Sequence, residues 1–177
     1  MEFEAFNKIS RLSRNCVITE KIDGTNAQIC ITEEGEFLVG SRRRWITPDD
    51  DNYGFARWAH ENKEELIKLG EGKHYGEWWG QGIQRKYNMD KKVFSLFNTG
   101  RWSDAEIRPK CCGVVPVLYT GMFDSENIDQ VINDLEEKGS VVSPGFMNPE
   151  GIVIFHKASG GLYKKTIKDD EKPKSQI

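Results

Sequence analysis

Apolar positions along the chain follow two rhythms, and the switch between them sets out the elements. Cys16-Val17-Ile18 is a short apolar run, residues 27–32 are a second strand-like run, and Glu36-Phe37-Leu38-Val39-Gly40 is a third, so strands are expected over residues 17–19, 27–32 and 36–40. Asp23-Gly24 separates the first two and predicts a turn that reverses the chain, with Lys21 pinned where the first strand ends. Glu33-Glu34-Gly35 is a second turn. Thr47-Pro48-Asp49-Asp50-Asp51 is a helix-start signature, with acids where the macrodipole favours them. Phe55, Ala59, Asn62, Leu66 and Leu69 then recur at helical spacing beside Trp58, which predicts a helix over residues 52–69 stopped near Gly70 and Gly72. The strand rhythm returns over residues 73–79 and 92–97, and over 114–119, where Pro116 points to a sheet edge. Asp124 or Ser125 caps a second helix with Ile128, Val131, Ile132 and Leu135 on one face, ended by Gly139. Residues 151–156 and 162–167 are the last strands. Residues 1–14 form a short helix or a lead-in segment, and the charged tail, 169–177, is expected to fray. The pattern predicts an α+β fold in a single domain over 1–177: antiparallel sheets flanked by helices.

Composition narrows the setting. A chain of 177 residues buries a sizeable core as one domain. No apolar run approaches the ~20 residues of a membrane span, so no membrane partner is expected. The start, Met1-Glu2-Phe3-Glu4, has neither the basic nor the apolar region of a signal peptide. Cys16, Cys30, Cys111 and Cys112 form no Cys-x-x-Cys pair and there are only three histidines, which argues against structural zinc and for free thiols in a reducing, cytoplasmic compartment. A net charge of −3 means that any polynucleotide contact must come from a local basic surface.

Chemistry concentrates in an ordered set of segments. Glu20-Lys21-Ile22-Asp23-Gly24-Thr25-Asn26 comes first, then Ser41-Arg42, then Tyr75-Gly76-Glu77-Trp78-Trp79-Gly80. Val93-Phe94-Ser95-Leu96-Phe97-Asn98 follows, then Pro149-Glu150-Gly151-Ile152-Val153-Ile154, and finally Leu162-Tyr163-Lys164-Lys165-Thr166. Each has an ordinary structural reading by itself: a solvated lysine on a turn, a basic loop, surface acids at strand ends, core aromatics, lysines guarding an edge strand. In this order they resemble the covalent nucleotidyltransferases, whose members are ATP-dependent DNA ligases, RNA ligases and mRNA capping enzymes. The extended matches Lys21-Ile22-Asp23-Gly24-Thr25-Asn26 and Gly76-Glu77-Trp78-Trp79-Gly80-Gln81-Gly82-Ile83-Gln84 are similar to the phage-type, nick-sealing RNA ligases.

The resemblance implies a nucleotidyltransferase domain with an ATP-grasp-like architecture, using ATP and Mg²⁺ (or Mn²⁺). It implies that Lys21 attacks the α-phosphate and carries AMP, with Lys164 binding that phosphate; two close ammonium groups disfavour each other's charged forms. It gives Arg42 the ribose or phosphate end, Glu77 the ribose hydroxyls, Phe94 the base, and Asn26 the phosphates or the polynucleotide end. The backbone around Glu20 and Ile22 would meet the adenine edge. Glu150 and Asp23 would place the metal, through its waters, because Mg²⁺ gives them up reluctantly. The expected substrates are RNA ends or a nicked duplex.

Two departures stand out. Relatives carry Lys-x-Lys in the last motif, whereas Lys164 is followed by Lys165 and Thr166; Asn98 replaces an acid. Ligases also continue into a further domain where this chain has only a short tail, so a separate RNA-binding or repair partner is expected. The competing readings are a DNA ligase-like or GTP-using capping-like enzyme, and a nucleotide-binding module without catalysis.

Overall fold

A computed structural model describes residues 1–172. Two sheets organise it. The strands are β1 (Asn15–Lys21), β2 (Thr25–Ile31), β3 (Phe37–Ser41), β4 (Gly72–Gly80), β5 (Lys92–Leu96), β6 (Cys112–Val114), β7 (Val117–Met122), β8 (Gly151–His156) and β9 (Gly161–Thr166). One sheet is four-stranded in the order β7-β1-β8-β9; the other is five-stranded in the order β3-β2-β4-β5-β6. All pairs are antiparallel except β5 with β6.

The expected reversal at Asp23-Gly24 is not a hairpin. β1 and β2 lie in different sheets, so the chain crosses from one sheet to the other between Lys21 and Thr25. Gly24 permits this crossing: a Cβ there would sit 2.4 Å from the Trp78 carbonyl oxygen and 2.7 Å from the Trp79 Cβ. The predicted strand over 114–119 also divides. β6 belongs to one sheet and β7 to the other, with Val115 and Pro116 making the crossing. β7 is an edge strand, as the proline suggested, and the Pro116 carbonyl accepts the Glu20 N–H at 3.1 Å.

The helix expected over residues 52–69 is broken into α1 (Phe55–Glu61), α2 (Lys63–Leu66) and a 3₁₀ turn, Ile67–Leu69. Asp51 holds its start from a distance, accepting the Ala56 and Arg57 N–H groups at 2.7 and 3.0 Å. A short helix, α3 (Thr99–Trp102), follows β5. Asn98 caps it by accepting the Arg101 N–H at 3.1 Å, which gives the amide that replaces an acid a structural use. α4 (Ser125–Lys138) starts at Asp124, whose carboxylate accepts the Asn127 N–H at 2.8 Å. Residues 1–14 form no helix and are exposed. Of the tail expected to fray, Asp170 bonds back to the Thr166 N–H at 2.8 Å, and residues 173–177 lie outside the described residues.

The core is in three parts. Ala27, Ile29, Trp78, Phe94 and Leu96 pack under α1 and α2 on the outer face of the five-stranded sheet. Cys16, Ile18, Ile152 and Ile154 pack under α4 on the outer face of the four-stranded sheet. Ile22, Trp79, Tyr87 and Val115 fill the hinge where the chain passes between sheets. Among the described residues no helix is long and apolar enough to cross a membrane.

Candidate active site

Lys21 is the last residue of β1 and pairs with Gly151, so Glu150 arrives beside it one residue before β8 begins. The Lys21 Nζ lies 2.6 Å from the Glu150 Oε2, and the carboxylate is 3% exposed. Alternation puts Lys21, Thr19 and Val153 on the inner face, since Cys16, Ile18, Ile152 and Ile154 point into the α4 core. Lys164 pairs with Val153 and shares that inner face, whereas Lys165 pairs with Ile152 and reaches Asp129 of α4 at 2.6 Å. Thr166, opposite Gly151, therefore takes the second place of the expected Lys-x-Lys. Lys164, Thr166, Lys168, Asp23, Arg85 and Glu150 line a cavity of about 260 Å³.

The opposing wall comes from the five-stranded sheet. Asn26 pairs with Glu77, and the Asn26 amide donates to the Glu77 Oε2 at 2.9 Å. The Gly24 N–H donates to the other oxygen at 3.0 Å. Burial pushes the Glu77 carboxyl up to about 7, against the pull of Lys21 and these two donors, with Glu150 adding a smaller push. Glu77 thus feels both members of the Lys21–Glu150 pair across the cleft. The folded protein holds the Glu77 proton more tightly than the unfolded chain. The stabilisation it brings is full below the ordinary 4.5 and is lost as pH rises to about 7. A denaturant titration should show wild type losing up to about 3 kcal/mol over that window relative to Glu77→Gln. A constant difference between the two proteins across the window would contradict this.

Asp23 is held differently from a free ligand. Its carboxylate accepts the Arg85 Nε–H at 2.9 Å, and its N–H donates to the Tyr87 hydroxyl at 2.9 Å. Arg85 also donates to the carbonyls of Asn148 and Pro149 at 3.0 and 3.3 Å, so one guanidinium ties the crossing after Lys21 to the segment that delivers Glu150. Burial drives the Tyr87 hydroxyl strongly upward, which keeps it neutral beneath the loop. Among the described residues no group of three or more His, Cys, Asp or Glu could hold a metal by itself. Glu150, with Asp23 near it, offers oxygen to a cation that keeps water and takes further oxygens from phosphate; that donor set fits Mg²⁺ or Mn²⁺.

Glu20 points away from the cleft. Its carboxylate, 1% exposed, accepts from the Ser140 hydroxyl at 2.6 Å and the Val141 and Val142 N–H groups at 2.9 and 3.0 Å, anchoring the loop after α4. The Ile22 side chain is buried with Trp79 and Tyr87. Arg42 is exposed, one residue past the Ala27–Ser41 pair. Phe94 does not reach the cleft: it pairs with Trp78, is fully buried, and packs on Phe55 with centroids 4.9 Å apart. The expectation that it meets a base fails on strand register. Ser95, paired with Glu77, faces inward, and so does Phe97, two residues on and 41% exposed. Sequence reasoning gave no nucleotide-site role to Phe97, Val153, Arg85, Tyr87 or Ser140. The one available signal was that Phe97 immediately precedes Asn98, the position where relatives carry an acid.

Two sheets closing on an inward lysine, with carboxylates from both walls, define a nucleotidyltransferase domain. The chain belongs to the RNA ligase family, whose model matches residues 14–168. It is similar in fold to a Naegleria gruberi RNA ligase variant solved with AMP and Mn, at 17% identity and TM-score 0.68, covering 88% of this chain and 50% of that one. A second variant of that ligase, with ATP and Mn, matches at 18% identity and TM-score 0.68 over 89% and 51%. The form with PPi matches at 19% and 0.63 over 86% and 49%. The chain spans about half the length of these structures. No curated protein matches it.

Proposed function

We propose that this chain is the adenylyltransferase domain of an ATP-dependent RNA ligase. The observation that carries the reading is the Lys21 amine against the buried Glu150 carboxylate, at the crossing between sheets and facing Glu77. Glu150 takes the proton from the Lys21 ammonium, and the freed amine attacks the α-phosphorus of ATP. The P–N bond forms as the bond to pyrophosphate breaks. Lys164 and Arg42 hold phosphate or ribose charge. Glu150 and Asp23 would hold a divalent cation, which would supply charge neutralisation at the phosphate oxygens. An RNA 5′-phosphate oxygen then displaces Lys21 from phosphorus. Finally a 3′-hydroxyl attacks the activated end, giving up its proton as AMP leaves. RNA ends or a nicked duplex are the substrates.

The base lies on Phe97 rather than Phe94, with Val153 on the opposing wall. Phe97→Ala should weaken ATP binding by about 1–3 kcal/mol, the range for aromatic–base stacking, with little change in melting. Phe94→Ala should instead cost about 3–5 kcal/mol of stability and leave the nucleotide affinity of the folded protein near normal. Binding and melting measured on the same samples separate the two; the reverse pattern would restore Phe94 to the site.

The test of the function is incubation with each nucleoside triphosphate and Mg²⁺, followed by intact mass and then closure of a nicked RNA duplex. A gain of one AMP from ATP alone supports the reading. A GMP adduct would place the chain with the capping-like enzymes. No adduct, with ATP still bound, would make it a binding module.

A further inference from the structure

Strand pairing places a row of rings on the inner side of the five-stranded sheet, beyond Glu77. Gln28 pairs with both Tyr75 and Gly40, Gly40 is bridged to Trp45, and the Phe97 N–H donates to the Tyr75 carbonyl at 3.0 Å. Directly paired residues point to one side of a sheet. Phe97, Tyr75, Gln28 and Trp45 therefore share a side. The residues one step off, Leu96, Val39 and Ile46, all lie in the core on the other side. Tyr75 is 51% exposed and Trp45 is 49% exposed, large values for rings on a sheet.

The ground between the rings is flat. A Cβ on Gly40 would lie 2.8 Å from the Gln28 Cγ, so the glycine lets the Gln28 side chain lie along the sheet, where its amide donates to the Ser41 carbonyl at 3.2 Å. From Tyr75 to Trp45 is three strand steps, about 14 Å at the usual spacing, too far for both rings to take one base. Cations surround the row. Lys73, two residues from Tyr75, shares its side and is exposed. Arg42 and Arg43 are exposed on the turn closed by the Ser41 N–H on the Arg44 carbonyl at 2.9 Å. Spaced rings with lysine and arginine beside them match an unpaired polynucleotide, whose bases stack and whose phosphates need positive charge, better than an apolar protein segment.

We propose that Tyr75 and Trp45 form a stacking platform for a single-stranded RNA segment, with Lys73 and Arg43 on its phosphates. This rests on the reading above in one respect: the strand bound is a substrate strand leading to the nucleotide on Phe97. The platform binds RNA independently of adenylylation, so the two readings fail separately.

The experiment is fluorescence anisotropy of a labelled oligoadenylate across a salt series, with self-adenylylation by ATP measured on the same samples. Trp45→Ala and Tyr75→Ala should each weaken RNA binding about 5- to 100-fold. Trp45→Phe should retain most of it, and Trp45→Ala should adenylylate at the wild-type rate. Arg43→Gln should lower the slope of log affinity against log salt by about 0.7, independently of any effect of the ring variants on folding. Wild-type RNA affinity in both ring variants, or no binding by wild type at low salt, would overturn the platform. Absence of self-adenylylation with the predicted RNA losses would overturn the catalytic reading and leave the platform standing.

Discussion

Lys21→Ala should abolish self-adenylylation outright. Among the described residues no other amine shares its position: Lys165 is turned to Asp129 on the far side of the sheet, and Lys164 projects from β9 rather than from the sheet crossing. The alanine also leaves the Glu150 carboxylate, 3% exposed, without the ammonium 2.6 Å away. Since Lys21 itself is 19% exposed, water offsets part of that loss, and a cost of about 1–3 kcal/mol in stability is expected. Lys21→Arg separates the two effects. It keeps the positive charge beside Glu150 and so should melt close to wild type, yet a guanidinium does not lose its proton at usable pH and cannot attack phosphorus. Intact mass after incubation with ATP and Mg²⁺, paired with a melting curve, reads both. Adduct formation by the folded arginine variant would show that another nucleophile is used.

Glu150→Gln has the next largest expected effect. The substitution keeps the shape of the side chain and one acceptor oxygen but removes the base proposed to take the lysine proton. Proton transfer by a positioned group contributes about 10²–10⁴-fold to rate, so single-turnover adenylylation should slow by that order, with ATP binding much less affected. A counter-charge also holds a proton on its lysine, which acts with the opposite sign. A glutamine variant that adenylylates faster than wild type would reduce Glu150 to that holding role.

Much of this was legible in the sequence because local chemistry determines it. The alternation of β2 and β8, the face of α4 and its caps, and the order of the motif segments rest on side-chain period and turn residues. What was missed depends on which strands pair. Asp23-Gly24 has the composition of a hairpin turn, but Gly24 is there so that the chain can pass within van der Waals reach of Trp78 and Trp79 on its way to the other sheet. Phe94 and Phe97 look alike in sequence, an odd number of residues apart on one aromatic strand. Only the pairing of Ser95 with Glu77 decides that Phe97 faces the cleft and Phe94 the core. Strand alternation sets Lys165 opposite Lys164, and the bond to Asp129 places it on the far side. The roles of Arg85 and Tyr87 carry no local signal, since their partners lie 62 and 64 residues away in the chain. The inner face of the five-stranded sheet is as informative as its motifs, because exposed rings at Tyr75 and Trp45 follow from the same register that brings Glu77 to Asn26.

The central claim is that Lys21 is the nucleophile of a nucleotidyl transfer from ATP. The measurement is peptide mapping of the wild-type chain after incubation with ATP and Mg²⁺, under conditions that preserve the acid-labile phosphoramidate. The structure predicts a single AMP on the peptide containing Lys21, removed by pyrophosphate as the reaction runs backwards. AMP on Lys164 or Lys165 instead, or a chain that binds ATP and never forms an adduct, would contradict it.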